Sequence, residues 1–132
     1  MRMLKVGVIG LGFFGERHAR IYAALPNAGL VAVCDQDEAR ARHVAAQLGA
    51  APLPSAPALL ARDDIDAVSI CLPDRAHTDI AVDAAAAGKA ILLEKPLAHD
   101  TVHARRIVEA AEAAGVRLMI GHILRFDPRY TQ

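Results

Sequence analysis

This 132-residue sequence predicts an α/β fold: a doubly wound, mostly parallel six-stranded sheet in a single domain. Three observations carry that expectation. Short apolar runs alternate with helical patterns along the chain, the arrangement that buries a parallel sheet between two helical layers. The first run, ending Val6-Gly7-Val8-Ile9, meets glycines spaced G-x-G-x-x-G at Gly10, Gly12 and Gly15. The second, Leu30–Cys34, is closed by Asp35, 20 residues beyond Gly15.

Strand, tight turn and helix in that order give the glycine motif its meaning as a dinucleotide loop of the Rossmann type. The first glycine permits the turn, the second lets the backbone approach a pyrophosphate, and the third lets the helix pack on the strand. The helix start adds unpaired N–H groups and a partial positive charge for the phosphates. Gly10, Gly12, Phe13, Phe14 and Gly15 are therefore cofactor-binding candidates. An acid at the end of the second strand accepts hydrogen bonds from the adenosine ribose and repels a 2′-phosphate. Asp35 is read in that role, which favours NAD over NADP. The competing reading is a helix cap, since Asp37-Glu38-Ala39 follows at once.

The elements follow in order. Strand one is expected at Leu4–Ile9, with a helix from Phe13 to about Leu25 that ends before Pro26-Asn27. Strand two covers Leu30–Cys34, and a helix from about Glu38 to Leu48 stops at Gly49. Pro52, Pro54 and Pro57 leave room only for a short edge strand around Leu53. A brief helix near Ala58–Ala61 precedes strand four, Ala67–Leu72. A helix from about Arg75 to Ala87 buries Ile80, Ala81 and Ala84 and ends at Gly88. Strand five is Ala90–Leu93. The next helix starts at Asp100 or Thr101, buries Ile107, Val108, Ala111 and Ala114, and stops at Gly115. Strand six is Arg117–Ile120. Residues 1–121 form the dinucleotide-binding domain on this reading, and 122–132 have no periodicity of their own.

Bulk properties exclude other classes. Hydrophobic residues make up 54% and mean hydropathy is +0.25, yet no apolar run nears the ~18 residues of a spanning helix. Net charge is +0, which argues against a nucleic-acid surface. Little sequence precedes strand one, so no signal peptide is expected and the cytoplasm is the expected compartment. Cys34 and Cys71 lie near the ends of strands flanking strand one, beyond disulfide reach, and are expected to be free thiols, Cys71 nearer the cofactor.

Ligands bind such sheets beyond the carboxyl ends of the strands. The segments there are Gly10–Gly15, Asp35, Leu72-Pro73-Asp74, Glu94-Lys95-Pro96 and Gly121-His122. Taken with His77 and with Ile123-Leu124-Arg125-Phe126-Asp127-Pro128, this set resembles the Gfo/Idh/MocA family of glucose–fructose oxidoreductase and inositol dehydrogenase relatives. The resemblance covers essentially the whole chain, and Glu94-Lys95-Pro96 is its most specific part. It implies NAD(P)-linked oxidation or reduction of a sugar-like or cyclitol substrate, with Lys95 as acid–base beside the reacting oxygen. Glu94 would hold the nicotinamide-side ribose or orient the lysine, and Pro96 would fix the turn through a cis bond. Leu72 and Pro73 would pass along the cofactor, and His77 would follow one helical turn later. His122 and Arg125 would face nicotinamide or substrate.

Family members run to more than twice this length, so the resemblance implies a further C-terminal domain for substrate contacts and homo-oligomer formation, with 122–132 leading to it. A different class of function, a non-catalytic NAD-binding sensor or docking module, would use exposed Phe126 and Tyr130 as its contact surface. Metal binding is not expected: His99 and His103 are four apart, but no third ligand is expected beside them. His18 and His43 read as solvated helix positions.

Overall fold

The computed structural model describes residues 2–130. Six strands form one parallel sheet in the order β3-β2-β1-β4-β5-β6. In chain order these are β1 (Leu4–Ile9), β2 (Ala28–Cys34), β3 (Ala51–Leu53), β4 (Ala67–Ile70), β5 (Ala90–Leu93) and β6 (Leu118–Ile120). The helices are α1 (Phe13–Ala24), α2 (Glu38–Leu48), α3 (Ala56–Leu60), α4 (His77–Ala86) and α5 (Thr101–Ala114). Single 3₁₀ turns occupy Asp74–Ala76 and Ile123–Phe126.

Alternation along the central strands divides the core into two layers. Val8 and Val33 join Leu11, Ala19, Ala41, Val44 and Ala45 beneath α1 and α2. Ile9, Ala32, Cys34, Val68 and Ile70 face the other way, against Leu59, Ala81, Ala84 and Ile107 from α3, α4 and α5. Pro52 is accommodated because β3 is the outermost strand, where a missing N–H costs no central ladder bond. Lys89 is buried beside this frame; its ammonium donates to the carbonyls of Arg62 (2.6 Å) and Ile65 (2.9 Å), closing the turn into β4.

Several boundaries differ from expectation, each for a local reason. β2 begins two residues early because Ala28, already buried, pairs with Leu4. β4 stops at Ile70: Cys71 N still donates to Ile9 O at 2.8 Å, but Pro73 bends the chain away. The stretch from Asp74 makes a 3₁₀ turn before α4 proper begins at His77. α3 starts at Ala56 because Ser55 Oγ accepts from Ala58 N at 3.2 Å, a cap that overrides the proline-rich surroundings. On α5 only Ile107 and Ala111 are fully buried, whereas Val108 and Ala114 are exposed. This helix packs chiefly on α4, so its buried stripe is narrower than the periodicity suggests.

Candidate functional site

Because every strand pairing is parallel, the carboxyl ends of all six strands share one edge of the sheet. The glycine loop, Asp35, Leu72-Pro73, Glu94-Lys95-Pro96 and Gly121-His122 therefore emerge together.

Each glycine of the loop is there for its own reason. Gly10 has φ +89°, and a Cβ on it would collide with the Cys71 carbonyl oxygen. On Gly15 a Cβ would strike the Gly10 carbonyl, which is how closely α1 packs on the end of β1. Gly12 is the contrast: φ is −66°, and a Cβ there would meet nothing within 4 Å. The protein's own packing does not require glycine at 12, so the open cradle suits a group approaching from outside.

The first turn of α1 points into that cradle. Asp37, Ser55 and Asp100 each cap their helix with a side-chain oxygen, whereas α1, like α4, has no side-chain cap. Its leading N–H groups are left for an anion. Phe13 and Phe14 form an exposed edge-to-face pair at the rim, ring centroids 5.3 Å apart, with the Arg17 guanidinium 4.5 Å over the Phe13 ring.

Asp35 is not the helix cap; Asp37 is, accepting from Arg40 N at 3.1 Å. The Asp35 carboxylate reaches back to the glycine loop, accepting from Leu11 N at 2.7 Å and from Asp37 N at 2.8 Å. Arg40 lies beside it, Nη1 3.5 Å from Oδ1. Leu72 touches the loop from the β4 side.

At the other end, Lys95 and His122 line one depression with Ile123, Leu124 and Arg125, a cavity of about 370 Å³. The Lys95–Pro96 peptide is cis. Glu94 is buried just before it, with Oε2 accepting from Lys95 N at 3.2 Å. His77 is fully buried: Nε2 lies 2.7 Å from the Leu72 carbonyl and Nδ1 3.3 Å from the Leu97 carbonyl. Its ring ties the Leu72-Pro73 turn to the segment after Pro96 and presents no open edge to a ligand.

Two expectations need correction. His18 is not solvated: it stands between Ser69 Oγ (2.6 Å) and Glu94 Oε1 (2.8 Å). Gly15, Ala19 and Tyr22 mark the inward stripe of α1, and His18 falls on it at i+3 from Gly15, a spacing visible in the sequence. His99 and His103 do have a third ligand-type neighbour. Asp100 brings its oxygen and their ring nitrogens within 4.8 Å of one another. That carboxylate is already committed as the α5 cap, accepting from His103 N at 2.8 Å and facing His103 Nδ1 at 2.7 Å.

Both cysteines are free. Burial pushes the Cys34 thiol up to about 11 and the Cys71 thiol up to about 12, and Cys71 lies against Gly10 and Gly15. A raised thiol value in the folded state means stability is whole below the ordinary value of 9.0 and declines as pH rises through 11. Iodoacetamide at pH 8 is expected to leave both thiols intact in the folded chain and to modify both in guanidinium. Modification of the folded chain at the unfolded rate would contradict this burial.

A family described as "Oxidoreductase family, NAD-binding Rossmann fold" (Gfo/Idh/MocA) matches residues 4–122. Inositol 2-dehydrogenase 4 of Saccharopolyspora erythraea is 40% identical over 134 residues, covering 99% of this chain and 40% of the relative. UDP-N-acetylglucosamine 3-dehydrogenase of Acidithiobacillus ferrooxidans is 42% identical over 125 residues, 95% of this chain and 39% of the relative. Among solved structures, a 3-ketoreductase from Actinomadura kijaniata in complex with NADP and TDP-benzene superposes with TM-score 0.91 at 33% identity. That match covers 98% of this chain and 40% of the other. The chain thus spans about two fifths of the length of the curated relatives it matches. With the six-stranded parallel sheet, the glycine loop and the family match in agreement, this chain belongs to the Gfo/Idh/MocA oxidoreductases, as an NAD(P)-binding Rossmann domain.

Proposed function

We propose that this chain is the cofactor half of a dehydrogenase that moves hydride between NAD and a hydroxyl or carbonyl carbon of a sugar or cyclitol. The observation that carries the cofactor part is the pairing of an uncapped α1 with a glycine whose missing Cβ faces open space. Gly12 and the leading N–H groups of α1 would hold the pyrophosphate, and Phe13, Phe14, Leu72 and Pro73 would border it. Asp35 would accept from the adenosine ribose, which favours NAD; Arg40 beside it is the residue a 2′-phosphate would use.

When bound, the nicotinamide supplies the hydride chemistry. Lys95 would hold the reacting oxygen and take up or return its proton, with His122 and Arg125 in the same depression. Glu94 would orient the lysine, since Oε2 receives the Lys95 N–H while Oε1 faces His18. His77 would act indirectly, by fixing the two segments it joins. The relatives' names, inositol and UDP-N-acetylglucosamine dehydrogenases, support the substrate class.

A bare apolar face supports a division of labour with a further domain beyond residue 121. Ile21 of α1, Leu92, Met119, Ile123 and Phe126 line a groove of about 290 Å³ beside β5 and β6. We assign that face to contact with a further, substrate-binding domain of this protein and to homo-oligomer formation. The cytoplasm is the compartment we propose; among the described residues no helix is long and apolar enough to cross a membrane.

Calorimetric titration with NAD, followed by a hydride-transfer assay on a polyol and sugar panel, tests the reading. Lys95→Ala is expected to keep NAD affinity within about threefold and to cut hydride transfer by roughly 10²-fold or more, the range for a lost acid–base group. Binding with turnover unchanged in Lys95→Ala would remove the lysine from the chemistry. Binding without turnover in the chain joined to a substrate domain, unchanged in Lys95→Ala, would favour the docking module, for which the exposed Phe126 and Tyr130 argue. Failure to bind either dinucleotide would sink both readings.

A further inference from the structure

We propose that His18 is a positioning residue for Lys95, acting through the carboxylate of Glu94; this rests on the acid–base reading of Lys95 above. His18 sits three residues after Gly15, inside the helix whose first turn faces the cofactor cradle. Only 16% of its side chain and 11% of that of Glu94 is exposed, so little water competes for the 2.8 Å contact between Nε2 and Oε1. An ionised carboxylate only accepts hydrogen bonds, so Nε2 carries the proton whether the ring is neutral or charged.

The imidazole cannot turn away from this contact. Its other nitrogen is 2.6 Å from Ser69 Oγ, and Ser69 is fully buried on β4. The Tyr22 ring meets the His18 ring edge-on at 6.4 Å, closing off one side of it. In the neutral ring, Ser69 O–H donates to Nδ1 and fixes the tautomer that donates to Glu94.

Glu94 carries the restraint onward. Its Oε2 accepts from Lys95 N at 3.2 Å. Its carboxyl group packs over Gly121, where even a Cβ would lie only 3.2 Å from Oε1. The carboxylate is thus held by His18, by the Lys95 backbone and by the bare backbone at the end of β6. Without the His18 donor, a buried charge loses its best partner and gains by rotating toward water. That rotation withdraws Oε2 from the Lys95 amide and frees the backbone that aims the ammonium. Cofactor helix and lysine are therefore linked by one imidazole.

Hydrogen exchange at the Lys95 amide, followed by NMR on the ¹⁵N-labelled chain without ligand, reads this restraint directly. His18→Ala and His18→Phe are expected to raise its exchange rate at least tenfold, with the Val8 and Val33 amides of the central strands unchanged. His18→Gln, whose amide N–H reaches a similar position, is expected to return the rate to within threefold of wild type. If His18→Ala opens the whole fold, the Phe and Gln variants, which keep the side-chain bulk, carry the comparison. A wild-type rate in His18→Phe would reduce His18 to packing and overturn the proposal. Failure of His18→Gln to restore the rate would overturn it as well. The measurement contains no dinucleotide, so its failure is separate from failure of the NAD titration.

Discussion

Gly12→Ala is expected to leave the melting temperature unchanged and to weaken NAD binding about 10- to 100-fold. The stability half follows from the protein alone: the backbone at 12 has φ −66°, and an added Cβ meets nothing within 4 Å. The binding half follows from what must come close. A methyl group in the cradle holds a phosphate off the leading N–H groups of α1. Losing one charge-assisted hydrogen bond costs roughly 1.5–3 kcal/mol, and each 1.4 kcal/mol is about tenfold in affinity. Gly15→Ala is the control with the opposite signature. Its Cβ would strike the Gly10 carbonyl, a backbone atom that cannot step aside, and would crowd the Cys71 side chain at 3.2 Å. Overpacking of that kind is expected to cost roughly 3 kcal/mol, or about 10 °C in melting temperature. Differential scanning calorimetry and an NAD titration on both variants decide the matter. Equal NAD affinity in Gly12→Ala and wild type would remove the pyrophosphate from the loop.

The two substitutions also mark what a sequence can and cannot show. The G-x-G-x-x-G spacing was legible at once, because strand, turn and helix periodicities surround it. The motif also assigns Gly10 to the turn and Gly15 to close helix packing. What was not legible is which atoms enforce this, the Cys71 and Gly10 carbonyls, since those are the neighbours of a missing atom. The same holds further along. Asp35 was legible as the acid after β2, but its 2.7 Å hold on Leu11 N depends on how the chain returns over β1. His77 is expected one helical turn after Leu72-Pro73, following them along the cofactor. Its full burial comes from the Leu97 segment folding over it, a contact 20 residues away. The partners of His18 lie 51 and 76 residues on, so only its place on the inward stripe could have flagged it. Local pattern gave the elements and the ends of the strands; long-range packing decided which side chains are used up and which remain open.

Asp35→Asn is expected to lower discrimination against NADP about tenfold, measured as the ratio of NADP to NAD dissociation constants. Asparagine keeps the shape and removes the charge that opposes a 2′-phosphate. One acceptor is lost, since its Nδ2 must face either Leu11 N or Asp37 N. Arg40, already within 3.5 Å of the carboxylate, is released to meet the phosphate. The side chain is only 10% exposed, so the field of the carboxylate is weakly screened. Asp35→Ser should shift the ratio in the same direction. It should also weaken the fold by about 1 kcal/mol for each acceptor bond lost at Leu11 N and Asp37 N, since serine is too short to serve both. Adding Arg40→Ala to Asp35→Asn separates the two contributions. If repulsion by Asp35 alone sets the preference, the gain for NADP survives; if the freed guanidinium supplies it, the gain disappears. The NADP complex of the Actinomadura kijaniata structure makes this comparison the direct test of which dinucleotide a chain of this fold selects. A ratio unchanged in Asp35→Asn would take cofactor choice away from the end of β2. Asp35 would then be left as the clasp that holds Leu11 over the sheet.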